Sequence, residues 1–225
     1  MQLIFEGHAC VQIITTNGLT ILIDPFIKDN PLCNKQTTDF KPDLVLVTHG
    51  HGDHLGDALE ICRNSGATLA GMYDLLMHLD TEGIETVGFN TGGSFDFKGT
   101  RIIMVAAVHG NNFTGQNAGA AAGFIVEVDD KTIYHAGDTA LFGDMKDIIG
   151  RYKIDYAFLP IGDFYTMGPA DAVIAAHWLG AATVVPIHYN TFPVIAQDVQ
   201  QFCRALEDKT ESRCLVLEPG QVHQA

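Results

Sequence analysis

The stretch Leu44–Gly56, LVLVTHGHGDHLG, decides how the rest of the chain is read. It opens with Leu44-Val45-Leu46-Val47, a short run of apolar and β-branched residues of the kind found in a strand buried on both faces. His49, His51, Asp53 and His54 follow at once, separated by Gly50 and Gly52, and a helix-like segment, Asp57–Asn64, comes next. Four potential metal ligands therefore sit on a strand-to-helix turn, where glycines let the backbone bend without a Cβ clash. Any one of these histidines alone reads as a solvated loop residue. Three histidines and an aspartate within six residues are hard to explain as packing. Neutral imidazole nitrogens with a carboxylate oxygen suit Zn²⁺ and other borderline divalent ions.

HGHGDH resembles the HxHxDH motif of the metallo-β-lactamase superfamily, and the resemblance implies three further ligands: one at a later strand end, a bridging aspartate and a final histidine. The chain supplies His109 in Val108-His109-Gly110, Asp138 in His135-Ala136-Gly137-Asp138-Thr139, and His188 in Pro186-Ile187-His188-Tyr189, each just after a strand-like run and in the order that family implies. Gly7-His8-Ala9-Cys10, Leu159-Pro160-Ile161-Gly162-Asp163 and Thr166-Met167-Gly168-Pro169 look closest to its branch of small bacterial metal-dependent hydrolases. That branch is similar to ascorbate-6-phosphate lactonases and N-acyl phosphatidylethanolamine phospholipase D.

The resemblance implies an α+β fold: an αβ/βα four-layer sandwich of two mixed β-sheets flanked by helices. Periodicity alone yields only mixed α and β. It also implies two divalent metal ions, with Zn²⁺ as the default and Mn²⁺, Ni²⁺ or Fe²⁺ as alternatives. His49, His51 and His109 would hold the first, Asp53, His54 and His188 the second, and Asp138 would bridge them. Asp53 and Asp138 are the catalytic candidates, Asp53 as the group that orients the nucleophile or shuttles a proton. Asp24, His8, Asp163, Asn111 and Tyr189 are expected around the ligands or at the pocket. Asp24 reads equally well as an Asp-Pro turn residue, and Asn111 and Tyr189 as ordinary loop residues. His78, His135, His177 and His223 read as structural.

The implied activity is hydrolysis of an ester, lactone, amide or phosphodiester of a small substrate, possibly anionic. A mononuclear-iron oxidoreductase similar to persulfide dioxygenases and an RNA-processing nuclease share the motif. A diiron oxidoreductase is disfavoured, because those proteins carry Glu where His51 stands.

At 225 residues the chain fits one domain, 1–225. A net charge of −14 disfavours nonspecific contact with nucleic acid or an anionic membrane, both of which want basic patches. Five cysteines (Cys10, Cys33, Cys62, Cys203, Cys214) form no CxxC pair, and free thiols in a reducing cytoplasm are expected. The N-terminus lacks the basic and long apolar regions of a signal peptide. Among the elements, Asn17-Gly18 predicts a type I′ hairpin. Residues 26–43 predict an irregular loop at the site rim or at an interface of a homo-oligomer. Gly110–Gly123, rich in Asn, Gly and Ala with no apolar periodicity, predicts a loop over the metals.

Overall fold

The computed structural model describes residues 1–225, which divide into two compact units. The first comprises Met1–Gly93, Gly110–Ala121 and Leu217–Ala225; the second comprises Ser94–His109 and Ala122–Val216. Each is built on a seven-stranded mixed sheet, so the α+β class with two mixed sheets is observed.

In the first unit the strands run, in spatial order, Val222–Gln224, Gln2–Gly7, Cys10–Ile14, Thr20–Ile23, Leu44–Val47, Thr68–Met72 and Thr86–Phe89. The first three junctions are antiparallel and the last three parallel. Leu44–Val47 lies inside the parallel half with both neighbours paired, and all four side chains are fully buried. This is why it reads as an unbroken apolar run rather than an alternation. The helix Ala58–Ser65 packs on Leu44–Val47 and Thr68–Met72, and ends at Gly66 in the left-handed conformation.

The second sheet repeats the plan. Its order is Ser94–Phe97, Thr100–Ala106, Ala122–Val128, Lys131–His135, Tyr156–Pro160, Thr183–Ile187 and Arg213–Cys214, again three antiparallel junctions followed by three parallel ones. The helices Pro169–Leu179 and Val199–Lys209 pack on each other, and the core gathers Ile125, Tyr134, Leu159, Val184 and Leu206. Pro169 begins its helix where a missing N–H is harmless, and Gly180 ends it in the left-handed region.

Several local expectations are corrected. Thr15 and Leu19 pair, and Gly18 takes φ +87° while Asn17 does not turn left-handed, so this hairpin has a three-residue loop rather than a type I′ turn. Two-residue turns with both φ positive occur instead at Lys98-Gly99, Thr114-Gly115 and Asp129-Asp130, each between paired strand residues. Within the loop Gly110–Gly123, Asn112–Phe113 and Gln116–Asn117 form a small hairpin. Residues 26–43 are irregular apart from one turn at Thr37–Asp39, and their start is fastened to the helical region, where Asp57 Oδ2 accepts from the N–H groups of Ile27 and Lys28 at 3.0 and 2.9 Å.

The cysteines need the largest correction. Cys203, on the last helix, and Cys214, on the edge strand, are joined by a disulfide, so only Cys10, Cys33 and Cys62 are free. The chain turns back at Thr210–Ser212 and brings the two Cα atoms to 5.2 Å, a proximity that a separation of 11 residues does not reveal in sequence. Burial pushes the Cys62 thiol up to about 12 and raises that of Cys10. No helix is long and apolar enough to cross a membrane.

Candidate metal centre

In the first unit the ligand candidates follow the strand Leu44–Val47 at its C-terminal end, as ligands do in open sheets with parallel strands. His51 precedes a single helical turn, Gly52–Leu55, which carries Asp53 and His54. Gly50 is required there: a Cβ would lie 2.8 Å from the Asn112 carbonyl oxygen and from Leu75 Cδ1.

Asp24 organises these side chains. It is fully buried with φ +48° and accepts from the Thr48 N–H at 2.8 Å and the Thr48 hydroxyl at 2.7 Å; His54 Nδ1 lies 2.7 Å from its Oδ2. Since the Thr48 hydroxyl donates to Asp24, its oxygen is the acceptor for His49 Nδ1, 3.0 Å away. Both His49 and His54 are therefore held as the tautomer protonated on Nδ1, with Nε2 the unprotonated nitrogen. This is the arrangement by which carboxylates and hydroxyls orient metal-binding imidazoles. Thr48 was not anticipated from sequence, because a hydroxyl preceding a histidine carries no spacing signal.

His49 Nε2 and His51 Nδ1 approach to 2.9 Å, and Asn112 Nδ2 lies 3.0 Å from His51 Nε2. His8 is buried in a left-handed turn between the first two strands, and its Nε2 stands 3.2 Å from Asp53 Oδ2. His8, Asp53 and His54 offer ligand atoms within 4.8 Å of one another. Asn111 is buried. Its Oδ1 accepts from the Gly50 N–H at 2.8 Å, and its Nδ2 donates to the carbonyls of Ala118 and Ala120. It clamps the turn that carries the ligand candidates to the neighbouring loop.

In the second unit Asp138, His109 and His188 converge. Asp138 Oδ2 lies 3.1 Å from His188 Nε2 and 3.6 Å from His109 Nε2, with the carboxylate and His188 almost wholly buried. Thr139 fixes this loop: its hydroxyl oxygen accepts from the Val108 N–H at 3.0 Å, and the Ala140 N–H donates to the Val108 carbonyl at 3.0 Å. Asp163 is exposed, in a tight turn with φ +69° beside the exposed Phe164 and Tyr165. Tyr189 packs into the apolar core of this unit.

Of nine non-glycine residues with positive φ, four are His8, Asp24, Asp163 and His188. Such conformations cost about 1–3 kcal/mol each and gather where side-chain direction matters more than local strain. The donor set of imidazole nitrogens and carboxylate oxygens fits a borderline divalent metal, and the pre-oriented Nε2 atoms of His49 and His54 fit ligation.

Fold and donor chemistry together define a metal-dependent protein of the metallo-β-lactamase fold. The sequence model of the beta-lactamase superfamily domain matches residues 20–189. The chain belongs to that superfamily and, within it, to the UPF0173 metal-dependent hydrolases. It is 49% identical over 211 residues to such a hydrolase of Geobacillus thermodenitrificans, covering 92% of this chain and 93% of the relative. It is 43% identical to one from Methanobrevibacter smithii, covering 98% and 95%. Among solved structures it is similar to Igni18, a metallo hydrolase from Ignicoccus hospitalis, with a TM-score of 0.90, 36% identity and coverage of 100% and 98%.

Proposed function

We propose that the chain is a cytoplasmic binuclear metallohydrolase of small esters, lactones, amides or phosphodiesters. Two divalent ions, Zn²⁺ by default, are held by His49, His51, Asp53, His54, His109, Asp138 and His188. The observation that carries the reading is the Asp24–Thr48 network, which engages Nδ1 of His49 and of His54 and so makes Nε2 the unprotonated, metal-competent nitrogen of each ring. Metal ions so bound supply a hydroxide near neutral pH and an electrophile for the developing oxygen anion.

The chain's own groups do the rest. The His8 Nε2 contact to Asp53 Oδ2 at 3.2 Å supports a role for His8 in holding this carboxylate, and Asp53 orients the nucleophile or shuttles a proton. Asp138 contributes negative charge between the ligand imidazoles of its unit, and the pinned Thr139 keeps its loop from yielding. The disulfide removes part of the support for a cytoplasmic location, which now rests on the three free thiols.

The test is a panel of lactones, p-nitrophenyl esters, thioesters, phosphodiesters and β-lactams, with metal quantified in the same preparation. About two metal ions per chain and hydrolysis abolished by a chelator are expected. A folded protein that takes up no metal, or that hydrolyses with none bound, overturns the reading. Asp138→Ala should lose metal, whereas Asp163→Ala should keep it and alter turnover.

A further inference from the structure

The hydrolase reading leaves the substrate unnamed, and a cavity beside His51 narrows it; the inference below rests on that reading. The cavity, of about 420 Å³, lies wholly within the first unit. That size falls within the roughly 300–1,000 Å³ of small-ligand clefts. One wall is the turn from Gly50 to Gly52 with Leu55; the other is the hairpin tip carrying Phe113 and Thr114. His51 is the only titratable side chain among its lining residues, which include no aspartate, glutamate, lysine or arginine.

The hairpin wall is a held structure. Phe113 pairs with Gln116 and Asn112 with Asn117 across the two-residue turn Thr114-Gly115, whose φ values are +50° and +80°. Thr114 is β-branched, and such residues enter this region only under constraint from their surroundings. The wall is also tied to the ligand turn, through the Asn112 amide at 3.0 Å from His51 Nε2 and through Asn111 on the Gly50 N–H. A hairpin with a strained tip, fastened to a ligand histidine and facing an open cavity, is built to shape what lies next to that histidine.

A buried anionic group needs a cation or several donors to replace its hydration. The metal that His51 would hold is taken by the scissile group; beyond it the cavity has neither lysine nor arginine, its lining side-chain donors are Asn112 and Thr114, and the chain carries a net charge of −14. An alkyl or aryl group, by contrast, meets Leu55 and the Phe113 ring, and the glycines allow close approach: a Cβ on Gly52 would meet nothing within 4 Å. We propose that this cavity receives an uncharged apolar arm of the substrate, attached directly to the scissile group, and that Phe113 sets the preference for it.

Hydroxamic acids test this without knowledge of the natural substrate, since their metal-binding head is constant while the arm varies. The Zn²⁺-loaded full chain is titrated calorimetrically with acetohydroxamate, heptanohydroxamate and the monohydroxamate of pimelic acid, whose seven-carbon chain ends in a carboxylate. The heptanoyl compound is expected to bind at least about tenfold more tightly than the carboxylate-ended one. Phe113→Ala should reduce that ratio to below about threefold, and Phe113→Leu should retain most of it. Equal or tighter binding of the carboxylate-ended arm, or an unchanged ratio in Phe113→Ala, overturns the inference. Failure of acetohydroxamate itself to bind the metal-loaded protein overturns the open metal site, and the cavity assignment falls with it.

Discussion

Asp24 is the residue on which most of the local chemistry turns. Its carboxylate receives the Thr48 N–H, the Thr48 hydroxyl and His54 Nδ1, all in a fully buried environment. Replacing it with alanine leaves three donors without their acceptor, and each buried polar group so stranded costs about 1–3 kcal/mol. Asp24→Ala should therefore lower unfolding stability by on the order of 3 kcal/mol and metal affinity by about 10–100-fold. Asp24→Asn, which keeps one acceptor oxygen, should lie between. Urea melts of the metal-free proteins and competitive titration against a chromogenic chelator measure the two effects separately. Unchanged affinity in Asp24→Asn and Asp24→Ala would mean that the Nδ1 partners do not orient the ligands. The sequence left Asp24 undecided, because Asp-Pro is equally a strand terminator. Only the fold, which places it against a turn 24 residues later, resolves the ambiguity.

Among the elements, the helix Val199–Lys209 shows how covalent and noncovalent devices combine. Asp198 caps its first turn by accepting from the Gln201 N–H at 3.0 Å, and Cys203 fastens it to the edge strand Arg213–Cys214. Closing a loop of this length stabilises by about 2–3 kcal/mol in the chain-entropy account. Wild-type protein purified under oxidising conditions should thus melt several degrees lower once reduced, whereas Cys203→Ser should melt at that lower temperature with or without reductant. Thiol counting on denatured protein reads the same device: five reactive thiols if the bond is absent in the cell, three if it is present. A reductant-insensitive melt in a protein shown to hold the disulfide would contradict the stabilising role.

At the scale of the whole molecule, charge separates the hydrolase reading from the nuclease that shares its motif. A chain of net charge −14 should show no salt-dependent retention on heparin and no RNA binding at about 0.15 M salt, because phosphate-backbone affinity comes from clustered lysine and arginine. Filter binding with structured and single-stranded RNA checks this, and micromolar RNA binding with a steep salt slope would restore the nuclease. The sequence by itself determined the turn of candidate ligands, the apolar strand before it, and through them and the later candidate positions the family and the two-sheet class. These are local patterns: a buried strand must be continuously apolar, and a ligand turn needs donors and glycines at short spacing. Tertiary structure alone decided that Asp24 and Thr48 set the tautomers, that Asn111 is a clamp and Tyr189 a core residue, that Cys203 meets Cys214, and that a hairpin at Asn112–Asn117 walls a cavity beside His51. Each of these depends on which distant residues share a hydrogen bond or exclude water together, and that is fixed by strand order and packing, for which spacing along the chain carries no signal.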